Sequence, residues 1–222
     1  MSCSETDEGG RRRAPFLTFE GGEGVGKSTQ LRLLARRLRS LGIDPLETRE
    51  PGGSPAAEAV RRLLLAGAPD HWLPLSELYL VLAARADHVA RVVAPARAAG
   101  RWVLCDRYVD STRVYQGLAG GLGLDLVERL QRPAVAGEWP DLTILLDLPV
   151  EEGLARRSRA GPGSRFEDKD PDFHAQVRQG FLHLAALEPQ RFAVIPASEP
   201  PETVAERIWH AVRDRFAREL AP

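Results

Sequence analysis

The stretch Gly21-Gly22-Glu23-Gly24-Val25-Gly26-Lys27-Ser28 constrains this chain more than any other. It fits the spacing G-x-x-x-x-G-K-[ST], and each fixed position has a mechanical purpose. The glycines let the backbone turn tightly and aim successive N–H groups at one anion. Lysine adds a compact charge, and the serine hydroxyl is a hard oxygen for a divalent cation. Such a loop works with a strand before it and a helix behind it, whose N-terminal end adds positive potential. Both are legible. Phe16-Leu17-Thr18-Phe19 is a short apolar run, and Leu31, Leu34, Leu38 and Leu41 share one face of a helix over 27–41 that Gly42 ends. Of 30 basic residues, only Lys27 and Lys169 are lysines. A sequence that elsewhere prefers the planar guanidinium keeps an ammonium inside this loop, where a point charge suits phosphate. The loop predicts a bound nucleoside triphosphate. Alone it does not separate a phosphotransferase from a nucleotide switch or an ATP-driven machine.

The rest of the chain alternates short apolar runs with longer helical patterns. Leu46-Glu47-Thr48, Trp102-Val103-Leu104-Cys105, Leu142-Thr143-Ile144-Leu145-Leu146 and Phe192-Ala193-Val194-Ile195 read as further strands. Helices are predicted over 55–66 (capped by Ser54), 75–99 (ended by Gly100), 109–117, 124–136, 150–159, 172–187 and 201–218. Five apolar strands separated by helices predict an α/β fold, a five-stranded parallel sheet with helices on both faces. Residues 15–222 form that one domain, and the polar segment 1–14 reads as a disordered tail. The Gly-, Pro- and charge-rich segment at about 156–171 reads as a mobile lid carrying Arg156, Arg157, Arg159 and Arg165.

Composition narrows the partners. A net charge of −1 gives no general attraction to polymeric nucleic acid or to anionic membrane. No apolar stretch is long enough to span a bilayer, and the N-terminus lacks a signal segment. Cys3 and Cys105 fit reduced thiols in a cytoplasmic protein better than a disulfide.

In a doubly covered parallel sheet, ligands sit beyond the carboxyl ends of the strands. Arg49-Glu50-Pro51-Gly52-Gly53 follows the second strand. Asp106-Arg107-Tyr108, Ser111-Thr112 and Tyr115-Gln116-Gly117 follow the third, and Asp147 the fourth. Asp106 with Arg107 places a carboxylate for a metal beside a cation for phosphate, a pair suited to phosphoryl transfer. Asp147, before Leu148-Pro149, reads as a turn or cap residue.

These segments, with Arg165-Phe166-Glu167 and Pro140-Asp141-Leu142-Thr143, resemble bacterial thymidylate kinase, a nucleoside-monophosphate kinase of the P-loop NTPase class. The resemblance runs from Phe16 to the C-terminal helix. It implies transfer of the ATP γ-phosphate to dTMP, with Mg²⁺, in a homodimer, and the 75–99 helix is a candidate for its interface. It assigns ATP to Gly21, Gly22, Glu23, Gly24, Val25, Gly26, Lys27, Ser28 and Thr29, and the metal to Ser28 and Asp106. It implies that Glu23 faces the acceptor 3′-hydroxyl, that Arg49 and Arg107 hold the acceptor phosphate or its surroundings, that Tyr115 packs near the sugar, and that Ser111 also binds the acceptor. Arg85, Thr112 and Gln116 would meet the pyrimidine edge. The loop carries no basic residue between Glu23 and Gly26, so the resemblance implies a transition-state arginine from the lid, Arg159 or Arg165, beside Lys27, Asp106 and Arg107. The chain departs from the family pattern at Val81, where a base-stacking phenylalanine is usual, and at Gly120, Ser164 and Pro196.

Overall fold

The computed structural model describes residues 13–159, 165–166 and 168–220. The five strands are β1 (Phe16–Glu20), β2 (Leu46–Arg49), β3 (Val103–Asp106), β4 (Leu142–Asp147) and β5 (Phe192–Pro196). They pair in parallel in the order β2-β3-β1-β4-β5. The chain leaves β1 for β2 and β3 on one side and returns to β4 and β5 on the other, so a crevice opens at the carboxyl end of β1. The central strands are buried along nearly their whole length because helices cover both faces; the edge strands β2 and β5 are only partly buried.

One face packs α1 (Lys27–Ser40) and the terminal helix against Leu17, Phe19, Leu104 and Ile144. Leu34 and Leu38 of α1 are buried there, as their spacing requires, whereas Leu41 lies past the helix end and is exposed. The helix α2 (Pro55–Leu65) begins as the sequence predicts, with Ser54 Oγ accepting from Ala57 N at 3.3 Å and proline in the first turn. The long helix predicted over 75–99 is continuous but not uniform. It runs as α3 (Pro74–His88), a π turn over Val89–Val93, and α4 (Ala94–Ala98). Pro95 explains the interruption: its ring cannot pack against the preceding turn of a regular α-helix, and a π turn opens room for it. The helix predicted over 109–117 is likewise α5 (Val109–Thr112) passing into a π turn over Arg113–Leu118. The remaining helices are α6 (Leu124–Val135), α7 (Val150–Ser158), α8 (Pro171–Leu187) and α9 (Pro201–Arg215).

The segment read as a tail lies outside the described residues except for its last two. Arg13 Nη1 donates to Glu138 Oε1 at 2.7 Å, and Ala14 O accepts from Arg97 Nε at 2.8 Å, so both of these residues are held against the domain. Most of the central part of the segment read as a lid also lies outside the described residues. Cys105 is a buried free thiol. No described helix is long and apolar enough to cross a membrane.

Candidate active site

β1 ends one residue later than its apolar run suggests, in a carboxylate. Glu20 is fully buried and accepts from Tyr108 N at 2.7 Å and from Ser111 Oγ at 2.6 Å. It thereby binds the loop after β3 to the loop after β1. Burial, with Asp110 nearby, pushes its carboxyl up to about 7.

The phosphate loop turns directly from Glu20 into α1. Gly24 has φ 67°, and a Cβ there would fall 1.9 Å from the carbonyl oxygen of Gly153, so only glycine allows the loop to lie against α7. Lys27 Nζ donates to the carbonyls of Gly21 at 3.1 Å and Gly22 at 2.6 Å, which spans the loop. Burial and the nearby Arg107 cation lower its ammonium to about 8. Ser28 Oγ, at the first turn of α1, donates to Asp106 Oδ2 at the end of β3. The two residues predicted to hold a metal are therefore in contact. A hydroxyl and a carboxylate beside a phosphate loop suit Mg²⁺, which keeps several waters and takes its other oxygens from phosphate.

Arg107 is the centre of the arrangement. Its φ of 67° is unusual for a non-glycine residue and turns its side chain back over the loop. Nη1 donates to Gly21 O and Ser111 Oγ, both at 3.1 Å. Nη2 donates to Glu23 Oε1 at 2.7 Å and to Tyr115 OH at 3.2 Å. Tyr115 OH in turn donates to Glu23 Oε1 at 2.8 Å. Burial opposes ionisation of Glu23, but Arg107 and then Lys27 outweigh it and hold its carboxyl at about 2.

Beyond this cluster a cavity of about 630 Å³ opens, large enough for nucleotides. From the phosphate loop it takes Glu23, Gly24, Gly26, Lys27, Ser28 and Thr29. Arg49, Arg85, Asp106 and Arg107 line it, as do Ser111, Thr112, Tyr115 and Gln116. Gly21, Gly22 and Val25 instead line a small hollow of about 20 Å³ behind the loop. Arg49 is held by Glu58, with both carboxylate oxygens at 3.1 Å. Arg85 is buried. Its Nε donates to Glu50 Oε2 and one Nη to Thr112 Oγ1, each at 2.8 Å. Gln116 Nε2 donates to Glu77 Oε1 at 2.7 Å.

The two lid arginines expected to serve the transition state, Arg159 and Arg165, do not join this wall. Arg159 is an exposed residue at the end of α7. Arg165 is fully buried, paired with Glu77, and donates from Nε to Leu64 O at 2.5 Å. Arg157 and Phe166 do line the cavity. Sequence reasoning also passed over Arg61 and Glu77. Arg61 lines the cavity from α2 and donates to Pro51 O at 2.8 Å. Its signal was weak: a helical arginine two turns after Ser54, among many arginines. Asp147 does not cap a helix; both its oxygens take Arg178, at 2.7 and 3.0 Å, which ties β4 to α8. Gly120 has a steric reason, since a Cβ there would lie 2.6 Å from Tyr115 O and 2.7 Å from Gln116 O.

A phosphate loop at the switch point of a parallel sheet, facing a basic cavity with room for a second ligand, defines a P-loop phosphotransferase. The sequence model of the thymidylate kinase family matches residues 19–208, and the chain belongs to that family. It is 52% identical over 213 residues to thymidylate kinase of Rhodopseudomonas palustris (strain TIE-1), covering 92% of this chain and 90% of that one. It is 49% identical over 201 residues to the thymidylate kinase of Caulobacter vibrioides, covering 90% and 97%. The crystal structure of thymidylate kinase from Ehrlichia chaffeensis superposes with a TM-score of 0.72 at 30% identity, over 90% of this chain and 99% of that one.

Proposed function

We propose that this chain transfers the γ-phosphoryl group of ATP to dTMP, giving dTDP and ADP on the route to dTTP. The observation that carries the proposal is one cavity holding both the phosphate loop and the Arg107–Glu23–Tyr115 cluster. A phosphate oxygen of the acceptor attacks the γ-phosphorus in line, and the β–γ bridging oxygen leaves with ADP. No enzyme-bound intermediate is required, so the chain's work is alignment and charge neutralisation.

Lys27 and the loop N–H groups hold the β- and γ-phosphates. Ser28 and Asp106 would hold Mg²⁺, which would neutralise phosphate charge there. Arg107 orients the acceptor phosphate, with Arg49 and Arg61 adding positive potential nearby. Glu23, kept ionised by Arg107 and Lys27, accepts a hydrogen bond from the 3′-hydroxyl of a deoxy sugar. Tyr115 and Ser111 bound the sugar side, and Arg85, Thr112 and Gln116 the base. Of the lid arginines, Arg157 lines the cavity, so it takes the transition-state role ahead of Arg159 and Arg165. The same reading makes the protein a cytoplasmic homodimer. Exposed Leu73, Leu75 and Tyr79 at the start of α3 support that interface.

Turnover with ATP and Mg²⁺ against each nucleoside monophosphate tests the assignment, and dTMP is expected to be the preferred acceptor. Val81 lines the cavity and favours a second reading, a kinase for another deoxynucleotide. Turnover of another monophosphate with none of dTMP would establish that reading instead.

A further inference from the structure

Gln116 and Arg165 come from distant parts of the chain, yet one carboxylate holds both. Glu77, on the first turn of α3, is buried and accepts from Gln116 Nε2 on Oε1 at 2.7 Å. Its Oε2 accepts from Arg165 Nη2, and Arg165 is fixed further by donating to the carbonyls of Leu64 at 2.5 Å and Pro69 at 3.2 Å. An ionised carboxylate accepts hydrogen bonds and donates none. The amide of Gln116 therefore has one orientation available: the nitrogen faces Glu77, and the carbonyl oxygen faces the other way. That oxygen accepts nothing from the described residues, and Gln116 lines the cavity.

We propose that Glu77 is a positioning residue for base recognition, fixing Gln116 so that its carbonyl oxygen is offered to the acceptor base. The proposal rests on the acceptor binding in this cavity as described above. A pyrimidine with two ring carbonyls carries an N3–H between them, which that oxygen accepts. The aminopyrimidine ring of cytosine carries an unprotonated N3, which would face the carbonyl lone pair to lone pair. A glutamine free to turn its amide would serve either ring. Glu77 removes that freedom, and Arg165 in turn fixes Glu77. Base discrimination thus depends on a residue that does not line the cavity.

The experiment measures kcat and KM for dTMP and dCMP, with ATP and Mg²⁺, in the parent and in Glu77→Gln. The replacement keeps the shape of the side chain but can donate as well as accept, so the lock on Gln116 is lost. The dTMP-over-dCMP preference should fall about tenfold, the discrimination carried by one oriented hydrogen bond, and mainly through KM. In a Gln116→Leu background the same replacement should change the preference no further. The double variant Glu77→Gln with Arg165→Gln removes both buried charges, and its preference is read in the same way if the single variant folds poorly. A preference unchanged in either folded variant, with only thermal stability lowered, would show Glu77 to be a structural prop. An additive effect in the Gln116→Leu background would overturn the coupling. Absence of dTMP turnover in the parent would remove the functional reading and this inference together; dTMP turnover with an unchanged preference removes this inference alone.

Discussion

Replacing Glu23 by glutamine should weaken the fold and the sugar preference together, because one carboxylate supports both. Glu23 Oε1 takes Arg107 at 2.7 Å and Tyr115 OH at 2.8 Å. Its carboxyl is held at about 2 against a usual 4.5, despite burial, by Arg107 and Lys27. Every tenfold change in a protonation equilibrium corresponds to about 1.4 kcal/mol, so the ionised form contributes about 3 kcal/mol at neutral pH. For a chain of this size that is about 6–12 °C in Tm. The pH dependence has a definite sign. The folded carboxyl titrates below the unfolded one, so its contribution is complete above pH 4.5 and is lost as pH falls through 2. At pH 3 about 1.4 kcal/mol should remain. Glutamine keeps the shape and one acceptor oxygen but cannot carry the charge. Melts followed by circular dichroism should show Glu23→Gln well below the parent at pH 7, with the gap narrowed by more than half at pH 3. Assays with deoxy and ribo forms of the acceptor should show a smaller ratio for the variant. A gap absent at pH 7, or equal at both pH values, would refute the electrostatic reasoning.

Lys27→Ala and Asp106→Ala should each lower kcat by about 10³-fold or more while the circular dichroism spectrum is retained; unchanged kcat in either would remove that residue from its role. Burial and Arg107 lower the Lys27 ammonium to about 8, so KM for ATP should rise about tenfold between pH 7 and 9 as the free enzyme loses that charge. Burial holds the Glu20 carboxyl near 7, above its unfolded value, so its contribution to stability is complete below pH 4.5 and is lost as pH rises through 7. Urea titrations of Glu20→Gln and the parent should diverge by about 1.4 kcal/mol per pH unit within that window, the variant gaining at higher pH; parallel curves would contradict the assignment.

The features legible in the sequence are those whose chemistry is local. The phosphate loop announces itself because its glycines, Lys27 and Ser28 must be contiguous. The sheet is legible because strands covered on both faces read as apolar runs, and the rule that ligands sit beyond strand ends led to Asp106 and Arg107. What escaped depends on contacts between distant segments. Glu20 continues an apolar strand as a buried carboxylate, and only its bonds to the loop after β3 explain it. Glu77 looks like an ordinary residue in the first turn of a helix until Gln116 and Arg165 converge on it. The lid arginines are chemically identical in sequence, and packing alone separates Arg165, buried against Glu77, from Arg157 at the cavity. Gly120 reads as a departure from pattern, yet two backbone carbonyls leave no room for a side chain there.

The most direct measurement is a crystal structure of the chain with dTMP, Mg²⁺ and a non-hydrolysable ATP analogue. The triphosphate should lie against the N–H groups around Lys27, and the dTMP phosphate should lie in line with the γ-phosphorus beside Arg107. Two nucleotides bound far apart, or a phosphate loop left empty at saturating analogue, would contradict phosphoryl transfer within this cavity.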